Sequence, residues 1–277
     1  LSYDMSFRLF LLYKNRMRTI PYITHQIWLQ GWDKLPDKYK QNVTDLHDMN
    51  TNYTHMQWDE KTLQKECAKI SNDVLVKFNS FTHFIQKVDL GRYVVLYNYG
   101  GISIDTDMKP LKSIDNTPNI EKSDCIISKG SFPLNVFGYT NNALFLIKPR
   151  HTFMHDIINS IIGCNKKESS YLSNILYIHH TTGPTFVDKI IKRHIDEITI
   201  IDNEYYEPCN QFIPCSVSSN TIMDHQHENS WIDTQSIIIL IFLFLLIALF
   251  SCFISYIIVV YILNIKINRI FKSFYKV

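Results

Sequence analysis

Apolar positions along the chain fall into two rhythms and one unbroken run. Residues 20–28, crowded with β-branched and aromatic side chains, predict a first strand, and residues 53–58 a second. A helix is expected between them, ending near Met49, and another opens at Asp59 with acids in its first turn. Over residues 85–99, Val88, Tyr93, Val95, Leu96 and Tyr99 recur at helical spacing and predict a helix, stopped by Gly100 and Gly101. Residues 102–107 then read as a strand closed off by Pro110. Further strands are expected at 125–128, 143–147 and 198–201, and helices at 152–163, 168–178 and 184–194. Strands alternating with helices predict an α/β domain with a largely parallel sheet.

The unbroken run covers residues 237–263, 27 positions of which only Ser251 and Ser255 are not apolar. Such a helix would rise ~40 Å against a bilayer core of ~30 Å. It is apolar on every face, unlike a buried core helix, so we expect one C-terminal transmembrane helix. The economical division is an N-terminal segment 1–19, one domain over 20–235, the transmembrane helix 237–263 and a basic tail 264–277. The tail carries Lys266, Arg269, Lys272 and Lys276 and no acid, so the net charge of +2 is a tail of +4 added to a remainder of −2. With no basic stripe in that remainder, a nucleic-acid partner is not expected. The apolar content of 46 % excludes a disordered chain.

The tail's charge favours a cytosolic tail and a lumenal domain of Golgi or ER type. The sequons at Asn42 and Asn52 agree with that. A cytosolic domain on a tail anchor is the alternative, since residues 9–13 are too short for a signal-peptide core. None of the six cysteines forms a CxxC pair, which argues against structural zinc; Cys209 and Cys215 are candidates for a disulfide or for free thiols.

Chemistry concentrates at residues 100–107, Gly-Gly-Ile-Ser-Ile-Asp-Thr-Asp. Strand alternation would put Asp105 and Asp107 on one side and Ile102 and Ile104 on the other, toward a core. Two carboxylates at a strand end make a hard oxygen site for Mn2+ or Mg2+ shared with a substrate's phosphates. Asp89 and Arg92, at i and i+3 on the preceding helix, share a face and suit a ribose hydroxyl and an acid or phosphate. Trp28, at the end of the first strand, is placed to stack on a base, with a core-filling Trp as the more frequent alternative. His225, His227, Ser230 and Trp231 form a polar cluster that could meet a diphosphate, although an interfacial Trp explains part of it. Thr182-Gly183-Pro184 reads as a helix-initiating turn.

Taken in order, these segments resemble glycosyltransferase family 32, whose members share a sugar-binding region containing a DXD motif. Residues 20–28 resemble its opening motif, and Lys87, Asp89, Arg92 and Tyr93 with residues 100–107 resemble its K-x-D-L-x-R-Y and G-G-I-Y-L-D-T-D motifs. Asn142 through His151, Thr182-Gly183-Pro184, and His225 with Ser230-Trp231 resemble its later elements. The resemblance implies a GT-A fold and a metal-dependent, retaining transfer of a hexose from a nucleotide-sugar donor to a glycan or lipid acceptor. Mannose from GDP-mannose and an inositol-phosphoceramide-like lipid are the favoured pair, and a UDP-hexose is the alternative donor. It further implies that Trp28 stacks on the base, Asp89 and Arg92 hold ribose and sugar, and Asp105 contacts ribose or sugar. Asp107 would bind metal, Asn142 would lie near the sugar, and His225, Ser230 and Trp231 would close over the diphosphate. Ser103 stands where that family usually has Tyr, and His227 where an aromatic is common.

Two other readings compete with this one. A metal-dependent phosphatase of the haloacid-dehalogenase type also places DxD after a strand, but Lys109 stands where its pattern wants Thr or Val. A non-catalytic, membrane-tethered sugar-binding protein would be expected to have lost some of these polar residues.

Overall fold

A computed structural model describes residues 18–131, 140–209, 216–228 and 234–274. Six strands form the main sheet: β1 (Ile23–Ile27), β2 (Thr54–Trp58), β3 (Gly101–Ile104), β5 (Cys125–Lys129), β6 (Thr140–Ile147) and β7 (Thr199–Ile201), in the order β2-β1-β3-β6-β5-β7. The pairs β1–β2, β1–β3 and β5–β7 are parallel. β6 runs antiparallel to both β3 and β5, so the sheet is mixed rather than largely parallel. The reason is the connection: ten residues, 130–139, separate β5 from β6, fewer than the dozen or so a parallel crossover needs. Alternation of apolar residues is the same in either direction and carries no sign of this.

The helices are α1 (Asp37–Met49), α2 (Glu60–Ile70), α3 (Asn72–Ser80), α4 (Phe84–Tyr99), α5 (Thr152–Ile162), α6 (Asn174–Thr181), α7 (Pro184–Ile191) and α8 (Thr234–Phe274). One core lies between α4, α5 and one sheet face, where Leu90, Val94, Phe145, Ile147 and Phe153 are fully buried. On the other face Ile102, Ile104, Leu144 and Leu146 pack with Leu46, Met108 and Ile222. The period-2 split of β3 and β6 between these cores is the alternation expected of strands, and Ile102 and Ile104 face a core as predicted.

The predicted helix at 168–178 is replaced by a 3-10 turn, Glu168–Ser170, followed by α6. Ser173 breaks the segment by capping α6, its Oγ accepting from the Leu176 N–H at 3.4 Å. Pro184 opens α7 as expected of a first-turn proline. At the C-terminus, residues Thr234–Lys266 within α8 are long and apolar enough to cross a membrane, and the most apolar 18-residue window of that span has no buried residue. The α/β sheet with its DxD at a strand end and the one such apolar helix among the described residues fit the GT-A plus one-helix architecture. Cys209 is disulfide-bonded, whereas Cys67, Cys125, Cys164 and Cys252 are free; Cys215 lies outside the described residues.

Candidate functional site

β1 and β3 are parallel neighbours, while the chain leaves β1 toward β2 on the other side. That reversal makes a switch point, and ligands of open α/β sheets lodge at the carboxyl ends of the strands there. A cavity of about 290 Å³ occupies this place, lined among others by Trp28, Asp89, Arg92, Asp105, Asp107 and Asn142. Two glycines let the chain turn into it. Gly100 (φ 64°) caps α4, its N–H donating to the Leu96 carbonyl at 2.8 Å. At Gly101 (φ 94°) a Cβ would lie 2.5 Å from the Ile23 carbonyl oxygen, closer than β1 and β3 allow.

The strand ends at Ile104, before the DxD. Asp105 to Asp107 form a turn closed by the Met108 N–H on the Asp105 carbonyl at 3.1 Å, so a turn presents the two carboxylates, not one face of a strand. The turn feeds β4 (Met108–Pro110), which pairs antiparallel with β8 (Met223–His225) in register Met108↔His225. This small sheet carries His225 to the DxD: its Nε2 lies 3.4 Å from Asp107 Oδ2 and its Nδ1 3.6 Å from Glu207 Oε1. From α1, buried Asn42 donates to the Thr106 carbonyl at 3.2 Å and to Gln226 Oε1 at 3.0 Å, fixing the middle of the turn.

Asp89 and Arg92 are both buried on α4. Arg92 donates to Asp105 Oδ1 and to the Asn142 carbonyl, while its Nε, fully buried, has no partner among the described residues. Asp89 accepts from Asn142 Nδ2 at 2.9 Å and from Thr182 Oγ1 at 2.8 Å. The Thr182 carbonyl in turn accepts from Tyr93 OH at 2.8 Å. One network therefore joins α4, the DxD turn, β6 and the turn before α7. Thr182 belongs to it, beyond the helix-starting role its Thr-Gly-Pro context suggested.

The charges are strongly displaced. Burial pushes Asp89 up to about 6 against the pull of Arg92 and its hydrogen bonds. Desolvation also raises Asp105, with Arg92 opposing and Asp107 adding to it. For Asp107 desolvation is outweighed by His225 and the Glu228 N–H, which hold it below the usual carboxylate range. His225 is pushed up to about 10, because Asp107 and Glu207 overcome its burial. An imidazolium held this way among carboxylates would give up its proton on ligating a metal.

Trp28 lies beside the cavity with its ring 5.6 Å from that of Tyr39. Its indole N–H is buried without a partner among the described residues. His227 (φ 48°) turns its Nε2 to the Cys209 carbonyl at 2.9 Å. Ser103 is 2 % exposed and paired with Phe145, so the missing Tyr leaves a filled core position. Ser230 and Trp231 lie outside the described residues. The sequence reading missed Asn42 and Glu207: Asn42 was noticed only as a sequon, and no local pattern marks Glu207.

Asp105, Asp107 and His225 each offer a ligand atom, all within 4.8 Å of one another. Two carboxylates and one imidazole fit Mn2+ or Mg2+ completed by water and phosphate oxygens.

Residues 36–124 match the family model described as "Glycosyltransferase sugar-binding region containing DXD motif". Among curated proteins, the chain is 24 % identical over 244 residues to inositol phosphoceramide mannosyltransferase 1 of Schizosaccharomyces pombe, covering 83 % of this chain and 70 % of that one. To inositol phosphoceramide mannosyltransferase 3 of the same organism it is 24 % identical over 184 residues, covering 65 % of this chain and 47 % of the other, so it spans less than half of that relative. The solved PaToxG glycosyltransferase aligns with a TM-score of 0.46 at 13 % identity, over 64 % of this chain and 70 % of its own. Over these residues the chain is similar to the DXD-containing glycosyltransferases, in agreement with the motifs of its sequence.

Proposed function

We propose that the chain is a membrane-anchored, retaining hexosyltransferase that moves mannose from GDP-mannose to a hydroxyl of a membrane lipid headgroup. The observation that carries it is the joining of Arg92, Asp105, Asp107 and His225 at the carboxyl end of β3, inside a cavity large enough for much of a nucleotide-sugar. The curated relatives named inositol phosphoceramide mannosyltransferases support the choice of mannose and of an inositol-lipid acceptor.

Asp105 and Asp107, with His225 beside them, would hold Mn2+ or Mg2+, which neutralises charge on the departing diphosphate. Trp28 offers its ring to the guanine base and an indole N–H that lacks a partner among the described residues. Arg92 fixes Asp105 and the Asn142 backbone, so the donor's sugar meets a preorganised wall. Asp89 orients the Asn142 and Thr182 side chains on that wall. With the metal bound, His225 would coordinate through a neutral imidazole nitrogen beside Asp105 and Asp107. As the glycosidic bond loosens, the acceptor hydroxyl attacks from the face the diphosphate vacates, and its proton passes to the leaving phosphate.

Calorimetry with GDP- and UDP-sugars in Mn2+, run beside a transfer assay on the detergent-solubilised full chain, tests this. GDP-mannose is expected to bind only with the metal, and Asp107→Ala to lower transfer by about 10²-fold or more. Preferential binding of a UDP-hexose would overturn the donor assignment. Undiminished metal-dependent turnover in Asp107→Ala would overturn the metal site. Absence of any nucleotide-sugar binding would leave a tethered sugar-binding protein.

A further inference from the structure

α6 touches two cavities. Its C-terminal half gives Ile178 and His179 to the crevice of the candidate site. Its first residue, Asn174, and the preceding Ser173 line a second cavity of about 230 Å³, closed from the other side by Gln235, Ser236 and Ile239 of α8. At ~1.5 Å per residue the helix axis separates Asn174 from His179 by ~7 Å. The beginning of the apolar helix is therefore linked to the crevice through this one short helix.

The segment just before α6 has the make-up of a membrane interface. Leu172 is 66 % exposed and lines the second cavity. The Tyr171 ring lies 5.6 Å from those of Tyr177 and His180. Exposed Lys166 and Lys167 come immediately before, with Lys166 Nζ donating to the His180 carbonyl at 3.2 Å. The nearby acid, Glu168, has its Oε1 turned to His83 Nε2 at 2.9 Å. Apolar, aromatic and basic side chains together suit the headgroup layer of a bilayer, where Lys snorkels to the phosphates. Depth agrees as well. The 27-residue apolar run exceeds a ~30 Å hydrocarbon core by ~10 Å, leaving its first turns, against which this segment rests, at headgroup level.

We propose that residues 166–174 form a rim that lies on the headgroup layer of the bilayer crossed by α8, and that this contact holds the sugar-transfer crevice within reach of lipid-borne hydroxyls. The proposal rests on α8 spanning the bilayer, and its test separates the two. Nitroxide labels are placed singly by Leu172→Cys, Phe250→Cys and, as a water-facing control, Val76→Cys, each in the full chain carrying Cys164→Ser and Cys252→Ser. The protein is reconstituted into phosphatidylcholine vesicles containing phosphatidylserine, and collision with oxygen is compared with collision with a water-soluble nickel chelate. We expect the Phe250 label to be shielded from nickel, the Leu172 label to be intermediate, and the Val76 label to be open. A Phe250 label as open as that at Val76 would mean that α8 does not cross. A shielded Phe250 label with a Leu172 label as open as Val76 would overturn the rim alone. In parallel, Leu172→Asp should lower transfer to a vesicle-embedded acceptor severalfold while leaving donor hydrolysis unchanged; equal transfer in the variant would likewise overturn the rim.

Discussion

Trp58 has only a donor to offer, so its indole N–H, 3.1 Å from His25 Nδ1, fixes the tautomer of that imidazole. Nε2 must carry the hydrogen, and it donates to the Gly100 carbonyl at 2.7 Å. His25 is fully buried on β1, and desolvation holds it down to about 4 although Gly100 pulls the other way. A histidine kept neutral in the fold but protonated near 6.5 when unfolded removes stability as pH falls. The unfolded chain binds the proton first, so the penalty begins below about 6.5 and grows until about 4, reaching about 3 kcal/mol. Urea unfolding of the detergent-solubilised protein between pH 7 and pH 4 should show this decline, and His25→Gln should flatten it; an unchanged slope in the variant would place the acid sensitivity elsewhere. The sequence offered His25 only as a strand residue. Its partners, Trp58 and Gly100, lie 33 and 75 positions away, a pairing no local pattern encodes. Asp89, Arg92, Asp105 and Asp107 were legible because their chemistry and spacing are local; Glu207 and Asn42 were not, because each gains its role only when distant segments meet.

The same division between local and distant governs the elements. α4 and β3 were readable because a helical apolar face, a Gly-Gly stop and an alternating strand follow one another within some twenty residues. The three-residue strands β4 and β8 are too short for periodicity, and they define each other only by pairing across more than a hundred positions. The direction of β6 was hidden because alternation has no direction. The Gly-Gly stop has a measurable consequence. At Gly101 a side chain meets two obstacles, a φ of 94° and the Ile23 carbonyl oxygen 2.5 Å from the new Cβ. Gly101→Ala should therefore cost at least the ~1–3 kcal/mol of backbone strain, read as a lowered denaturation midpoint. It should also lower sugar transfer in the surviving folded fraction, because the DxD turn hangs from the strand displaced. Wild-type stability in that variant would show that β1 and β3 can separate freely at this point.

For the whole molecule, the average net charge of +2 conceals a −2 body and a +4 tail on opposite sides of one apolar helix. The basic tail favours the cytosolic side, and with it a lumenal body, by charge bias alone. The two sequons bear on this unequally. Asn42 is 5 % exposed and spends its amide hydrogens on Thr106 and Gln226, where it holds the DxD turn. A glycan there would replace one of those hydrogens and keep α1 from seating. Asn52 is exposed in the turn after α1, and its amide makes one surface hydrogen bond, to Asp115 at 3.1 Å. A lumenal body should accordingly carry one glycan, on Asn52. Expressed in a eukaryotic secretory system, the active protein should show a single endoglycosidase-sensitive step in gel mobility, abolished by Asn52→Gln. Two steps in active protein would contradict the seating of Asn42, and none would place the body, with its crevice and donor supply, on the cytosolic face of the membrane.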